Sequence, residues 1–86
     1  MKLFVKNIES SINEMMLEML FKQFGPITST KIIYDKITWE SKGFGFVEFE
    51  NKEDALRAIE KLNGLAVKGK KLSVEEAEER KKWNDL

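Results

Sequence analysis

Two phenylalanines spaced two apart stand between a lysine and a glutamate in the run Lys42-Gly43-Phe44-Gly45-Phe46-Val47-Glu48-Phe49. These side chains make and break no bonds; they stack and pair charge. On a strand they alternate faces, so Lys42, Phe44, Phe46 and Glu48 point one way and Gly43, Gly45, Val47 and Phe49 the other. One face then carries aromatics where a solvated face carries polar groups, and the other carries glycines, which weaken a strand unless another element approaches closely. A slip by one residue would bury Lys42 and Glu48 and expose the glycines, inverting the pattern. Aromatics in a row on an open face fit a flat partner. Nucleobases are one, since base-on-aromatic stacking contributes roughly 1–3 kcal/mol per base and tolerates any base. Lys42, heading the row, would meet the phosphate between stacked bases.

The run resembles the eight-residue signature of the RNA-recognition motif family, [K/R]-G-[F/Y]-[G/A]-F-V-x-[F/Y], at every constrained position. Leu3-Phe4-Val5-Lys6-Asn7-Ile8 is similar to the family's second signature, an apolar-aromatic-apolar-x-Asn-apolar strand. The resemblance covers residues 2–77. It implies a ferredoxin-like α+β sandwich that binds single-stranded RNA across its sheet: Phe4 and Phe46 each stack a base, Phe44 presses against the sugars, and Lys42 pairs with the intervening phosphate. Backbone near the end of the family's last strand often contacts bases, which on this chain points to Glu75 to Ala77. Single-stranded DNA is a second candidate ligand, because stacking is blind to the 2′-hydroxyl.

The elements that must position these residues follow in order. Lys2 to Asn7 alternates with period two, Leu3 and Val5 inward, Phe4 and Lys6 outward. Ser10, Ser11 and Asn13 offer helix N-caps, and Ser11 with Glu14 has the spacing of a capping box. Leu17, Leu20, Phe21 and Phe24 form the apolar stripe of the first helix, with Glu14, Glu18 and Lys22 facing water, until Gly25-Pro26 ends it. Ile27 to Asp35 is a second strand with Thr30 and Ile32 inward and Lys31 and Ile33 on the aromatic face. Asp35 to Ser41 is a hairpin loop carrying Lys36, Trp39 and Glu40, and the third strand runs from Lys42 to Glu50. Asn51 opens a second helix with Ala55, Ala58, Ile59 and Leu62 inward; Asn63-Gly64 closes it. After a turn or hairpin at Leu65 to Gly69, the fourth strand takes Lys71 to Glu75, with Lys71, Ser73 and Glu75 on the open face. The order βαββαβ gives four antiparallel strands with both helices on one side, leaving one sheet face bare.

The 86 residues suit one domain, spanning residues 1–77, followed by a charged, helix-forming tail at 78–86. An N-terminus this close to the first strand suggests the small one-domain members of the family. Neither cysteine nor histidine occurs, so disulfides, thiolate metal sites, the usual general base and the commonest zinc ligand are all missing. The expectation is a binder, not an enzyme, with no cofactor and no metal. No apolar run approaches the ~18 residues of a membrane span, and no signal peptide opens the chain, which points to the cytoplasm, or the nucleus in a eukaryote. Fifteen lysines and arginines balance fifteen acids, a neutrality unlike most nucleic-acid binders, so stacking should carry more of the affinity than charge.

Further candidates have two readings each. Lys6, Lys31 and Lys71 either contact phosphate and base edges or line a solvated sheet edge. Glu48 and Glu75 can accept from exocyclic amines but repel phosphate. Trp39 either contacts RNA, packs on its own hairpin or meets a protein partner. Trp83 in the tail could cover the aromatic face, pack at the sheet edge or await a partner. The competing function is a protein-interaction module that uses a helix face or the tail. In either case a monomer is expected.

Overall fold

The computed structural model describes residues 1–77; the tail with Trp83, expected to be helical, lies outside the described residues. Its elements are β1 (Lys2–Lys6), α1 (Glu14–Lys22), β2 (Ile27–Tyr34), β3 (Ser41–Phe49), α2 (Lys52–Leu62), β4 (Ala66–Val67), β5 (Lys70–Lys71) and β6 (Ser73–Glu76). An antiparallel sheet runs β2-β3-β1-β6, and β4 pairs with β5 in a separate hairpin. This is the expected ferredoxin-like arrangement with one correction. The segment read as a fourth strand from Lys71 is divided: Lys71 pairs with Ala66 across a turn at Lys68-Gly69, and the sheet strand begins at Ser73. Both turn residues have positive φ, 52° and 87°, the twist that a two-residue hairpin needs.

The inward residues of the sheet, Leu3, Val5, Ile32, Val47, Phe49 and Val74, meet Leu17 and Phe21 of α1 and Ala55, Ala58 and Leu62 of α2 in one core. Leu20, Phe24 and Ile59 complete the two helical stripes as partly buried neighbours. Phe21 and Phe49 lock helix to sheet, with ring centroids 6.3 Å apart. Each such fully buried side chain contributes about 1.5–3 kcal/mol through removal from water.

Of the three residues offered as caps of the first helix, one serves, and the expected Ser11–Glu14 capping box is not made. Asn13 is the N-cap, its Oδ1 accepting from the Met16 N–H at 2.9 Å. Ser11 instead donates both its N–H and its hydroxyl to Glu9 Oε1. With Ser11 occupied, no capping box forms, and Glu14 is not turned to water: its Oε2 accepts from the Ile32 N–H at 3.2 Å, tying α1 to β2. At the other end, Arg57 joins Asp54, at 2.7 Å, to the Phe24 carbonyl, at 3.2 Å, and so clamps α2 to the exit of α1.

Gly45 explains one of the odd glycines. It lies opposite Val5 and Ile32, and a Cβ there would collide with the Lys31 carbonyl and sit 3.0 Å from Ile32 Cα. The strand carrying the phenylalanines lies close to β2 because this position has no side chain.

Candidate nucleic-acid interface

Strand register assembles the site. Phe4 on β1 lies opposite Phe46 on β3 and opposite Glu75 on β6; Lys6 lies opposite Phe44, Lys2 opposite Glu48, and Lys31 opposite Phe46. Directly opposed residues of an antiparallel ladder project to the same face. Phe4, Phe44, Phe46, Lys2, Lys6, Lys31, Glu48 and Glu75 therefore share the face away from the helices. That is the face the alternation in the sequence assigned to the rings.

The three rings touch. Phe4 and Phe46 are stacked, 5.1 Å between centroids and 20° between planes, and Phe44 meets Phe4 edge-on at 5.8 Å and 81°. Each ring is half-buried by its neighbours, not by an overlying layer of the described residues. Lys2 Nζ stands 5.5 Å from the Phe46 centroid and Lys6 Nζ 5.6 Å from that of Phe4. Lys6 also pairs with Glu75 at 3.6 Å, both side chains about half exposed, so that pair adds at most about 1 kcal/mol and yields readily. The result is an aromatic platform with two ammonium groups over its rings and one carboxylate already partnered.

Lys42 begins this row in sequence, but the period-two reading does not carry through to it. Gly43 has φ +86°, and between Ile32 and Tyr34 the pairing of β2 with β3 slips. Lys42 is exposed at the mouth of the hairpin, where its charge adds to the Thr38 and Ile37 N–H groups, the larger causes, in holding the Asp35 carboxyl down. Lys71 stands apart from the platform, in the small hairpin, its carbonyl accepting from Asn7 Nδ2 at 2.8 Å. The N–H of Ala77 donates to the Lys2 carbonyl at 2.9 Å, which puts Ala77 at the edge of the platform but engages its donor. Lys2 is the residue that sequence reasoning passed over, although the same alternation places it outward with Phe4 and Lys6.

Asp35 organises the β2–β3 loop. Its Oδ1 accepts from the N–H groups of Ile37, at 2.8 Å, and Thr38, at 3.0 Å, and these bonds hold the carboxyl below the usual aspartate range. Trp39, with φ +63°, donates its N–H to the Asp35 carbonyl at 2.8 Å and is 75% exposed. Trp39, Tyr34, Glu40, Ser41 and Ser10 line a cleft of about 410 Å³ where this loop meets the β1–α1 connection. Burial, reinforced by Glu14, pushes the Tyr34 phenol above its ordinary value; it stays neutral at any ordinary pH.

A family model described as RNA recognition motif matches residues 3–73. The chain is 41% identical over 76 residues to the chloroplastic RNA-binding protein CP31B of Arabidopsis thaliana, covering 88% of this chain and 26% of that protein. Among solved structures, RNA Binding Protein PG1 superposes with a TM-score of 0.89 at 45% identity, covering 93% of this chain and 96% of that one. A Sxl-lethal protein–RNA complex superposes with a TM-score of 0.87 at 35% identity, covering 92% and 47%. The chain spans between 14% and 49% of the length of the curated relatives it matches.

Proposed function

The chain belongs to the RNA recognition motif family, a family of RNA-binding modules and not enzymes; on that premise we propose that it holds short single-stranded RNA across the open face of its sheet. Phe4 and Phe46 each stack a base, Phe44 packs against the sugars, and Lys2, Lys6, Lys31 and Lys42 reach phosphates. Glu75 and the strand end at Ala77 meet base edges. The observation that carries this reading is the contact of Phe4, Phe44 and Phe46 on the sheet face away from both helices, with two lysine ammonium groups over their rings. An RNA complex among the structural relatives supports RNA as the ligand, and stacking extends it to single-stranded DNA at lower discrimination. The domain acts as a monomer over residues 1–77. Its proposed location is the cytoplasm; the relatives include a chloroplastic protein.

The test is Phe44→Ala with Phe46→Ala in the full chain. These rings pack on Phe4 and not into the core, so the fold should survive by circular dichroism while affinity for a short RNA pool falls at least tenfold, given about 1–3 kcal/mol per lost stacking contact. Unchanged RNA affinity would remove the reading. Met15 and Met19 of α1, 70% and 67% exposed, favour one alternative: a partner protein held on the helix face, whose binding those two substitutions would leave intact.

A further inference from the structure

The cleft between the β2–β3 loop and the β1–α1 connection lies beyond the aromatic platform, and its lining has a chemistry of its own. Trp39, 75% exposed, supplies an aromatic surface on a stretch of backbone fixed by its N–H bond to the Asp35 carbonyl. Two carboxylates are near, but Asp35 is already committed to the Ile37 and Thr38 N–H groups. Glu40 is exposed, and among the described residues no lysine or arginine pairs with it. Ser41 Oγ accepts from the Gly43 N–H at 3.1 Å, which leaves its own proton to donate. The cleft thus combines a stacking surface, an acceptor pair and a hydroxyl donor.

We propose that this cleft is a guanine-selective subsite, taking one base of a strand that continues off the sheet. The inference rests on the RNA-binding reading above and adds a base preference to it. Guanine presents two adjacent N–H donors, N1 and N2, that a carboxylate accepts together, beside O6, which accepts from a hydroxyl. Uracil has a single N–H flanked by two carbonyl oxygens, which a carboxylate repels. Cytosine and adenine each offer one amino group beside a ring nitrogen that accepts. Stacking on Trp39 alone would take any base, so selection falls to Glu40. Lys42, next to Ser41 and two residues before Phe44, is placed to meet the phosphate linking the cleft to the platform.

Affinities of the full chain are measured for a uridine pentamer and for pentamers with guanosine at one end or the other. One guanosine-ended pentamer should bind about tenfold tighter than the uridine pentamer. Glu40→Gln should abolish that difference without altering uridine binding, and Trp39→Ala should also abolish it. In parallel, millimolar guanosine 5′-monophosphate should shift the amide resonances of Ser10, Tyr34 and Ser41, and Glu40→Gln should remove those shifts without changing any at Phe4 and Phe46, where stacking takes every base. Equal affinities for all pentamers, or a guanosine preference that survives Glu40→Gln, overturn the proposal. So do resonance shifts at Ile37 and Trp39 that follow protein concentration without RNA, which would make the loop a protein contact. Failure of the platform reading looks different: no pentamer moves Phe4 or Phe46, whereas the mononucleotide still marks the cleft.

Discussion

Gly45 and Thr30 are single residues whose roles can be measured apart from any ligand. A methyl group at Gly45 meets backbone, which cannot step aside as a flexible side chain can. Gly45→Ala should therefore cost about 1–3 kcal/mol in denaturant unfolding, and RNA affinity should fall with it as β2 and β3 separate. Thr30 faces inward opposite Val47, and its hydroxyl is buried without a partner. Thr30→Val keeps the shape and removes that orphan group, so stability should rise by about 1 kcal/mol. Both inward positions were legible from alternation alone. The missing partner of Thr30 was not, because it depends on what α1 and β3 bring near it.

The β2–β3 hairpin is the element in which chemistry and folding are most closely joined. Asp35 has its carboxyl lowered by the Thr38 and Ile37 N–H groups, so it binds protons less readily folded than unfolded. Its contribution is complete above the ordinary aspartate value of 3.8 and is lost as pH falls through the lowered folded value. Amide exchange at Ile37 and Thr38 should therefore show protection at neutral pH that fades in acid, and Asp35→Asn should remove this pH dependence. The helices and three sheet strands were readable because their apolar spacing is regular. The start of the last strand was not: Lys71 continues the alternation of Ser73 and Glu75, yet the Lys68-Gly69 turn draws it into another hairpin. The cap of α1 was likewise undecidable among Ser10, Ser11 and Asn13, since the choice turns on Glu14 reaching β2 and on Glu9 taking Ser11. The cleft joins Ser10 to residues 34–41, a meeting made only by the folded chain.

At the scale of the whole molecule, charges cancel: fifteen basic side chains against fifteen acidic. The platform comes near this balance locally, with three lysines, Lys2, Lys6 and Lys31, set among two acids, Glu48 and Glu75. Four phosphate contacts, by those three lysines and Lys42, give a modest salt dependence, with log K against log salt falling at a slope of about −3 for single-stranded RNA. A titration series from low to physiological salt checks this, and a slope several times steeper would mean that charge outweighs stacking. The pairing of Lys6 with Glu75 has one more consequence, and it concerns time. A cation already answered by a carboxylate casts little field into the solvent, so an approaching RNA is not drawn in from a distance and arrives at the ordinary pace of diffusion. Discrimination between one RNA and another must then reside in how long each stays.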